Sequence, residues 1–270
     1  MAFATATENA PLPDAQLLKQ RALASMKQSE KDLEKYSCLV REQMDELNAD
    51  GSVKHRHSKQ QEKFFVNGVE INHTLARDGK ELGGDAAKKE QQRVDQAVKK
   101  YSDAGQARKS ESKDEKQVDM FLRALRLSNG RREERGGRST IGYNLAGDRN
   151  FHPAKIEERF AQALVGYIWL DEESGNVVEL RVETDRDVKI GGGLLANVHK
   201  GFRLHLMQQR QADGVWLTAA VEGSGDARAG LLFHPRFRFK QELDKCHLFS
   251  VDSKQTVHGA APGAAEAPKQ

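Results

Sequence analysis

The sequence predicts an α+β fold: a curved antiparallel half-barrel, an incomplete β-barrel of about ten strands closed by helices. Three stretches carry that expectation. Residues 166–183 hold two runs of β-branched and aromatic residues around the acidic connection Asp171, Glu172, Glu173, Ser174, Gly175, which is a hairpin signal. Near the end, Leu231, Phe233, Phe237 and Phe239 alternate with His234, Arg236, Arg238 and Lys240. Asn67-Gly68 stands between two further alternating arms, a strong short-range turn signal. A period of two gives each strand one apolar face, and strands joined in order by short turns must cover that face together.

The chain has 270 residues, 37% of them hydrophobic and 31% charged, with 43 basic against 40 acidic side chains. A formal charge of +3 lacks the concentrated excess of a dedicated nucleic-acid or membrane-surface binder. No stretch approaches the roughly 18 consecutive apolar residues of a membrane-spanning helix, so an integral membrane protein is not expected. The first residues lack a basic region and an apolar core, so no signal peptide is visible, although small residues of this kind can follow a trimmed one.

Residues 1–12 and 254–270 are Ala-, Pro- and Gly-rich without periodicity and read as tails. Residues 13–253 read as one domain. Its first helix spans residues 14–34, with Leu17, Leu18, Ala22, Met26 and Leu33 at helical spacing. Strands follow at 36–48, 52–61, 63–66 and 69–75. A helical insert, about residues 84–124, begins at Gly84-Asp85, and Ser112–Glu115 match a capping box for a further helix. Residues 129–137 read as a basic loop, with Ile141, Tyr143 and Leu145 on a strand after it and a helical turn over residues 154–162. After the hairpin, strands resume at Phe202, Leu204 and Leu206, turn at Ala212–Gly214, and turn again over residues 223–226. Pro235 places an edge or bend in the last strand.

Few residues suggest chemistry. His55 and His57 share a strand face and could hold a metal with His73, but Lys54, Arg56 and Lys59 oppose a cation, and no metal or cofactor is expected. Gly191, Gly192 and Gly193 lack the Lys-Ser/Thr of a phosphate loop and read as a bend. Arg131, Arg132, Arg135 and Arg138 are interrupted by Glu133 and Glu134 and read as a solvated loop, not a nucleic-acid site. Asp171, Glu172 and Glu173 lie at a turn, exposed, and no nucleophile–base motif accompanies them, so no catalytic residue is assigned. Cys38 and Cys246 are either two buried thiols or a disulfide joining the first strand to the last segment in an oxidising compartment.

The apolar face remains. Val165, Tyr167 and Trp169 can stand opposite Val182, Leu180 and Val178 as one wall, and a one-residue slip would put Ile168 and Leu170 there instead. With Phe202, Leu204, Leu231 and Phe233 these residues are the expected lining of a hydrophobic cavity, or simply a core if helices fill it.

Together the pieces resemble the LolA/LolB superfamily of bacterial periplasmic lipoprotein carriers, including its RseB-type sensor domains. The resemblance rests on the helix before Tyr36, on Asp50-Gly51 and Asn67-Gly68, and on Arg77–Leu82 leading into a charged helix. It rests most on Gly166–Asp171 with Ser174-Gly175 and Leu180, similar to the family's Trp-x-Asp-x-x-(Thr/Ser)-Gly hairpin. Lys200–Phe202, Gly214–Leu217 and residues 231–239 are similar to its closing strands. The resemblance implies a non-enzymatic periplasmic carrier that takes up a lipoprotein acyl chain or other lipid. The alternative is an envelope interaction or sensor module without cargo, which binds a protein. A LolB-like lipid anchor is not supported, because no lipobox cysteine stands near residue 1.

Overall fold

A computed structural model describes residues 11–103, 123–190, 196–229 and 234–248. Asp14 opens α1 (Ala15–Leu33), its carboxylate accepting from the Gln16 and Leu17 amides, as an N-cap should. Strands β1 (Tyr36–Leu47), β2 (Val53–Val66), β3 (Val69–Arg77) and the two-residue β4 (Lys80–Glu81) precede α2 (Gly84–Tyr101). Then come β5 (Leu125–Arg135), β6 (Arg138–Gly147), α3 (Ile156–Gln162), β7 (Leu164–Asp171) and β8 (Val177–Thr184). The short β9 (Val188–Ile190) and β10 (Ala196–Val198) lead to β11 (Arg203–Arg210), β12 (Trp216–Ala229) and β13 (Arg236–Leu248). The second helix expected in the insert, both tails, Gly191–Gly193, Leu231 and Phe233 lie outside the described residues, apart from Pro11 and Leu12.

The strands form one unclosed antiparallel sheet in the order β4-β3-β2-β1-β13-β12-β11-β8-β7-β6-β5, with β9 and β10 attached through β12. This differs from a simple meander. The first strand pairs with the last, from Tyr36↔Leu248 to Glu46↔Phe237, so β4 and β5, which flank the helical insert, become the two edges. Cys38 and Cys246 are register partners across this seam and are joined as a disulfide. At its other end the fully buried Asp45 accepts from Arg56 Nε at 2.7 Å and Arg238 Nη2 at 2.6 Å, tying β2, β1 and β13 together.

The edge at β3 is covered rather than open. Because β4 reaches only Ala76 and Arg77, α2 takes over further along: Glu90 accepts from the Thr74 amide at 2.8 Å, and Arg93 donates to the Asn72 carbonyl. Covering an edge in this way removes a template for unwanted strand pairing. At the other edge, β5 replaces the expected basic loop and carries a bulge between Ser128 and Arg131, with Asn129 at φ 52°.

Two further expectations are corrected. Residues 223–226 are no turn, since β12 runs straight through them. Its glycines answer to close packing instead: a Cβ on Gly223 would lie 2.3 Å from the Phe239 ring, and one on Gly225 would lie 2.9 Å from that of Phe202. Pro235 stands just before β13, where its carbonyl accepts from Ala227.

Helices α1 and α3 lie on one face of the sheet. Leu18 and Ala22 of α1 and Ala161 of α3 are buried with Ile141, Tyr143, Leu145, Leu164, Ile168, Leu170, Val177 and Val182. Fully burying a Leu or Ile here contributes roughly 1.5–3 kcal/mol. A smaller cluster of Tyr36, Cys38, Val40 and Leu217, with Leu33 against it, lies near the β1–β13 seam.

Candidate functional site

The register of the central hairpin decides what each of its faces does. Ile168 pairs with Leu180, Leu170 with Val177 and Gly166 with Val182, whereas Tyr167 pairs with Arg181 and Trp169 with Glu179. Directly opposed residues share a face. The slipped register is therefore the one adopted: Ile168 and Leu170 join Leu180 and Val182 under the helices, while Val165, Tyr167 and Trp169 turn to the opposite face. The expected single wall of Val165, Tyr167, Trp169, Val178, Leu180 and Val182 does not exist. Val178 sits at the bulge between the Trp169↔Glu179 and Leu170↔Val177 pairs, as the extra residue of β8 with no partner on β7. Phe202 packs against the rings of Phe160 and Phe237 at 5.5 and 6.2 Å, and Leu204 leans on the helix-covered core.

On the opposite face, Trp169 is the centre of a charged lattice. Its Nε1 donates to Glu133 at 2.9 Å, the Arg135 guanidinium lies 3.7 Å from its ring centroid, and the Tyr167 ring stacks at 5.9 Å. Gly142 beneath it has no side chain, and a Cβ there would approach Nε1 to 2.7 Å. Glu179, buried on β8, accepts from Arg181 Nε at 2.6 Å, from Arg135, and from His205 Nε2 at 2.7 Å. An ionised carboxylate only accepts, so this Nε2 carries the proton. Burial works to raise the Glu179 pKa, but hydrogen bonds from His205 and Arg181 outweigh it and hold the carboxyl below its ordinary range.

The hairpin tip belongs to this lattice. Asp171 is fully buried, not exposed: Arg138 holds it at 2.5 and 3.1 Å, and the Ser174 amide and hydroxyl donate to it at 2.8 and 2.7 Å. Glu172 takes Arg132 Nε at 2.9 Å and the Ser139 hydroxyl at 2.7 Å, and only Glu173 reaches into solvent. The supposed solvated arginine loop is thus a strand hairpin whose arginines clasp the next hairpin. Sequence reasoning missed this partnership, and the signal was there: Glu179, Arg181 and Glu183 alternate with apolar residues as Arg203 and His205 do on a neighbouring strand.

Beside the lattice runs an open trough of about 890 Å³. One wall is the cross-strand row Asn144, Tyr167, Arg181, His205, Glu222; the other is Ala146, Val165, Glu183, Arg203, Ser224, Arg238. Between them, Leu145, Val182 and Leu204 point their side chains to the other face and Gly166 and Gly223 have none, so the backbone of this row is the floor. Tyr167 is 47% exposed here. Of the expected cavity residues the trough brings together Val165, Tyr167, Val182 and Leu204, and leaves Trp169, Val178, Leu180 and Phe202 outside.

The histidine trio is not assembled. His55 and His57 pair with Glu46 and Met44 on one face of β2, whereas His73 pairs with Glu62, on the other. Among the described residues no three His, Cys, Asp or Glu side chains gather as metal ligands, and no helix is long and apolar enough to cross a membrane.

No family model matches the chain, and no curated protein does. Among solved structures, that of MucB in complex with MucA(peri) is similar over 86% of this chain and 94% of that one, at 10% sequence identity and a TM-score of 0.25. A likeness of that size carries no functional argument.

Proposed function

We propose that the chain is a non-catalytic protein-interaction module of an oxidising envelope compartment. The observation that carries this is the trough. Its walls hold Tyr, Arg, His and Glu, and an acyl chain lying there would strip water from Arg181, Glu183, Arg203 and Glu222 without replacing their hydrogen bonds. Exposed Tyr beside Arg is instead the composition that anchors protein interfaces. The Cys38–Cys246 bond supports an oxidising location such as the periplasm. Asp171, buried, and Glu172, half-buried, are both held in arginine ion pairs, which leaves neither free for acid–base work. A photoreactive residue substituted for Val165 is expected to crosslink a protein in envelope extracts. Stoichiometric binding of a fatty-acyl probe with no crosslinked protein overturns the reading.

One observation favours a second reading, binding of a lipoprotein acyl chain or other lipid. On the helix-covered face the row Leu145, Gly166, Val182, Leu204, Gly223, Phe239 continues to Met44, which is 46% exposed. An acyl chain lying on that row would gain roughly 0.8 kcal/mol per buried methylene. Binding of the acyl probe that is lost in Met44→Glu supports it; binding unchanged in Met44→Glu, or none at all, removes it.

A further inference from the structure

We infer that the trough receives an extended polypeptide segment laid across the strands, with an apolar residue against Tyr167 and Val165 and a carboxylate over Arg181, His205 and Arg203. This rests on the protein-interaction reading and names the partner that reading leaves open.

Dimensions come first. The floor crosses β6, β7, β8, β11 and β12, and at roughly 4.8 Å between strands this is about 19 Å, the length of about six extended residues. The floor is backbone already committed to the sheet's own ladder, so it offers an occupant shape but no free hydrogen bonds. Donors and acceptors come only from the two walls. A ligand with polar groups repeating along its length on both sides suits such a trough, and an extended peptide has that pattern.

The charge pattern sets the orientation. At the β6–β7 end the walls are Asn144, Ala146, Val165 and the stacked Tyr167, which suit an apolar or aromatic side chain. In the middle, Glu179 is shared among Arg181, His205 and Arg135, the last also reaching Glu133 at 3.4 Å, so the guanidinium of Arg181, 56% exposed, is only partly neutralised. Arg203 meets Glu183 only at 3.4 Å, and its side chain is 74% exposed. Exposed pairs of this kind contribute little, so a partner's carboxylate displaces Glu183 at small cost. The far end returns to mixed charge, with Glu222, Ser224 and Arg238, the last held by Asp45.

Panning a random displayed heptapeptide library against the full chain tests this. Enriched peptides are expected to carry Asp or Glu near an aromatic or aliphatic residue. Synthetic copies should bind about tenfold more weakly to Arg203→Glu and to Tyr167→Ser. In Arg203→Glu panning should shift toward Lys and Arg. Both positions are exposed, and unchanged circular dichroism melting confirms that the variants fold. Enriched peptides whose affinity neither variant changes would sink the trough while leaving an interaction module in place. No enrichment, together with binding of a fatty-acyl probe, removes both.

Discussion

Asp171 lies fully buried against Arg138, whose Nε and Nη2 meet its two carboxylate oxygens at 2.5 and 3.1 Å. The pair locks the β5–β6 hairpin to the tip of the β7–β8 hairpin. Ser174 completes the shell, so the carboxylate is satisfied on both oxygens. Burial alone would raise its pKa, yet Arg138 and Ser174 keep it below the ordinary carboxylate range. Without the Asp171 carboxylate, Arg138 keeps only the exposed Glu173 as an anionic partner and the Ser174 donors lose their acceptor. Asp171→Asn is expected to cost about 3 kcal/mol in urea unfolding. A loss within experimental error would show that the clasp is dispensable.

Stability should fall at acid pH through two named groups. Hydrogen bonding from Arg56, against burial and with help from Arg238, lowers Asp45 from its ordinary 3.8 to about 2. Arg93, against burial and with the Thr74 amide, lowers Glu90 from 4.5 to about 2. With folded pKa values depressed, the unfolded chain binds more protons in this window, so stability is present above the unfolded values and lost as pH falls through the folded ones. Melting temperature should drop between about pH 4.5 and 2, and the drop should be shallower in Asp45→Asn/Glu90→Gln. Parallel curves for the two proteins would assign the acid lability elsewhere.

The disulfide staples the interior of the sheet where the first and last long strands of the chain pair, 208 residues apart in sequence. Converting both cysteines to Ala should cost roughly 2–5 kcal/mol, mostly by freeing the unfolded chain. Urea unfolding of the oxidised protein and the double variant compares the two directly.

Gly166 is irreplaceable for a steric reason. A Cβ there would lie 2.0 Å from the Arg181 carbonyl oxygen, which is sheet backbone and cannot swing aside. Gly166→Ala should cost about 3 kcal/mol. At Gly51, with φ +84° and nothing within 4 Å of a Cβ, the same change should cost about 1 kcal/mol. Equal losses at the two sites would refute the packing argument.

Much of the fold was legible. Asn67-Gly68, the alternation over residues 177–183 and the Asp14 cap all report local backbone preferences, and local preferences are written in consecutive residues. The two faces of the central hairpin were less so. Val165, Tyr167 and Trp169 are as apolar as Ile168 and Leu170, so either register satisfies hydrophobicity. Only the helices covering one face, and the carboxylate of Glu133 waiting for Trp169 Nε1 on the other, break the tie. The trough was illegible for a related reason: its walls draw single residues from six strands scattered between positions 144 and 238.

By itself the sequence determined an antiparallel sheet with helices and no motif for catalysis, because composition and periodicity act over a few neighbouring residues. Tertiary structure alone decided that β1 meets β13, that Cys38 reaches Cys246, and that Tyr167 faces a charged trough. Register and strand order depend on which distant side chains fit and pair, and only the folded chain brings them within reach.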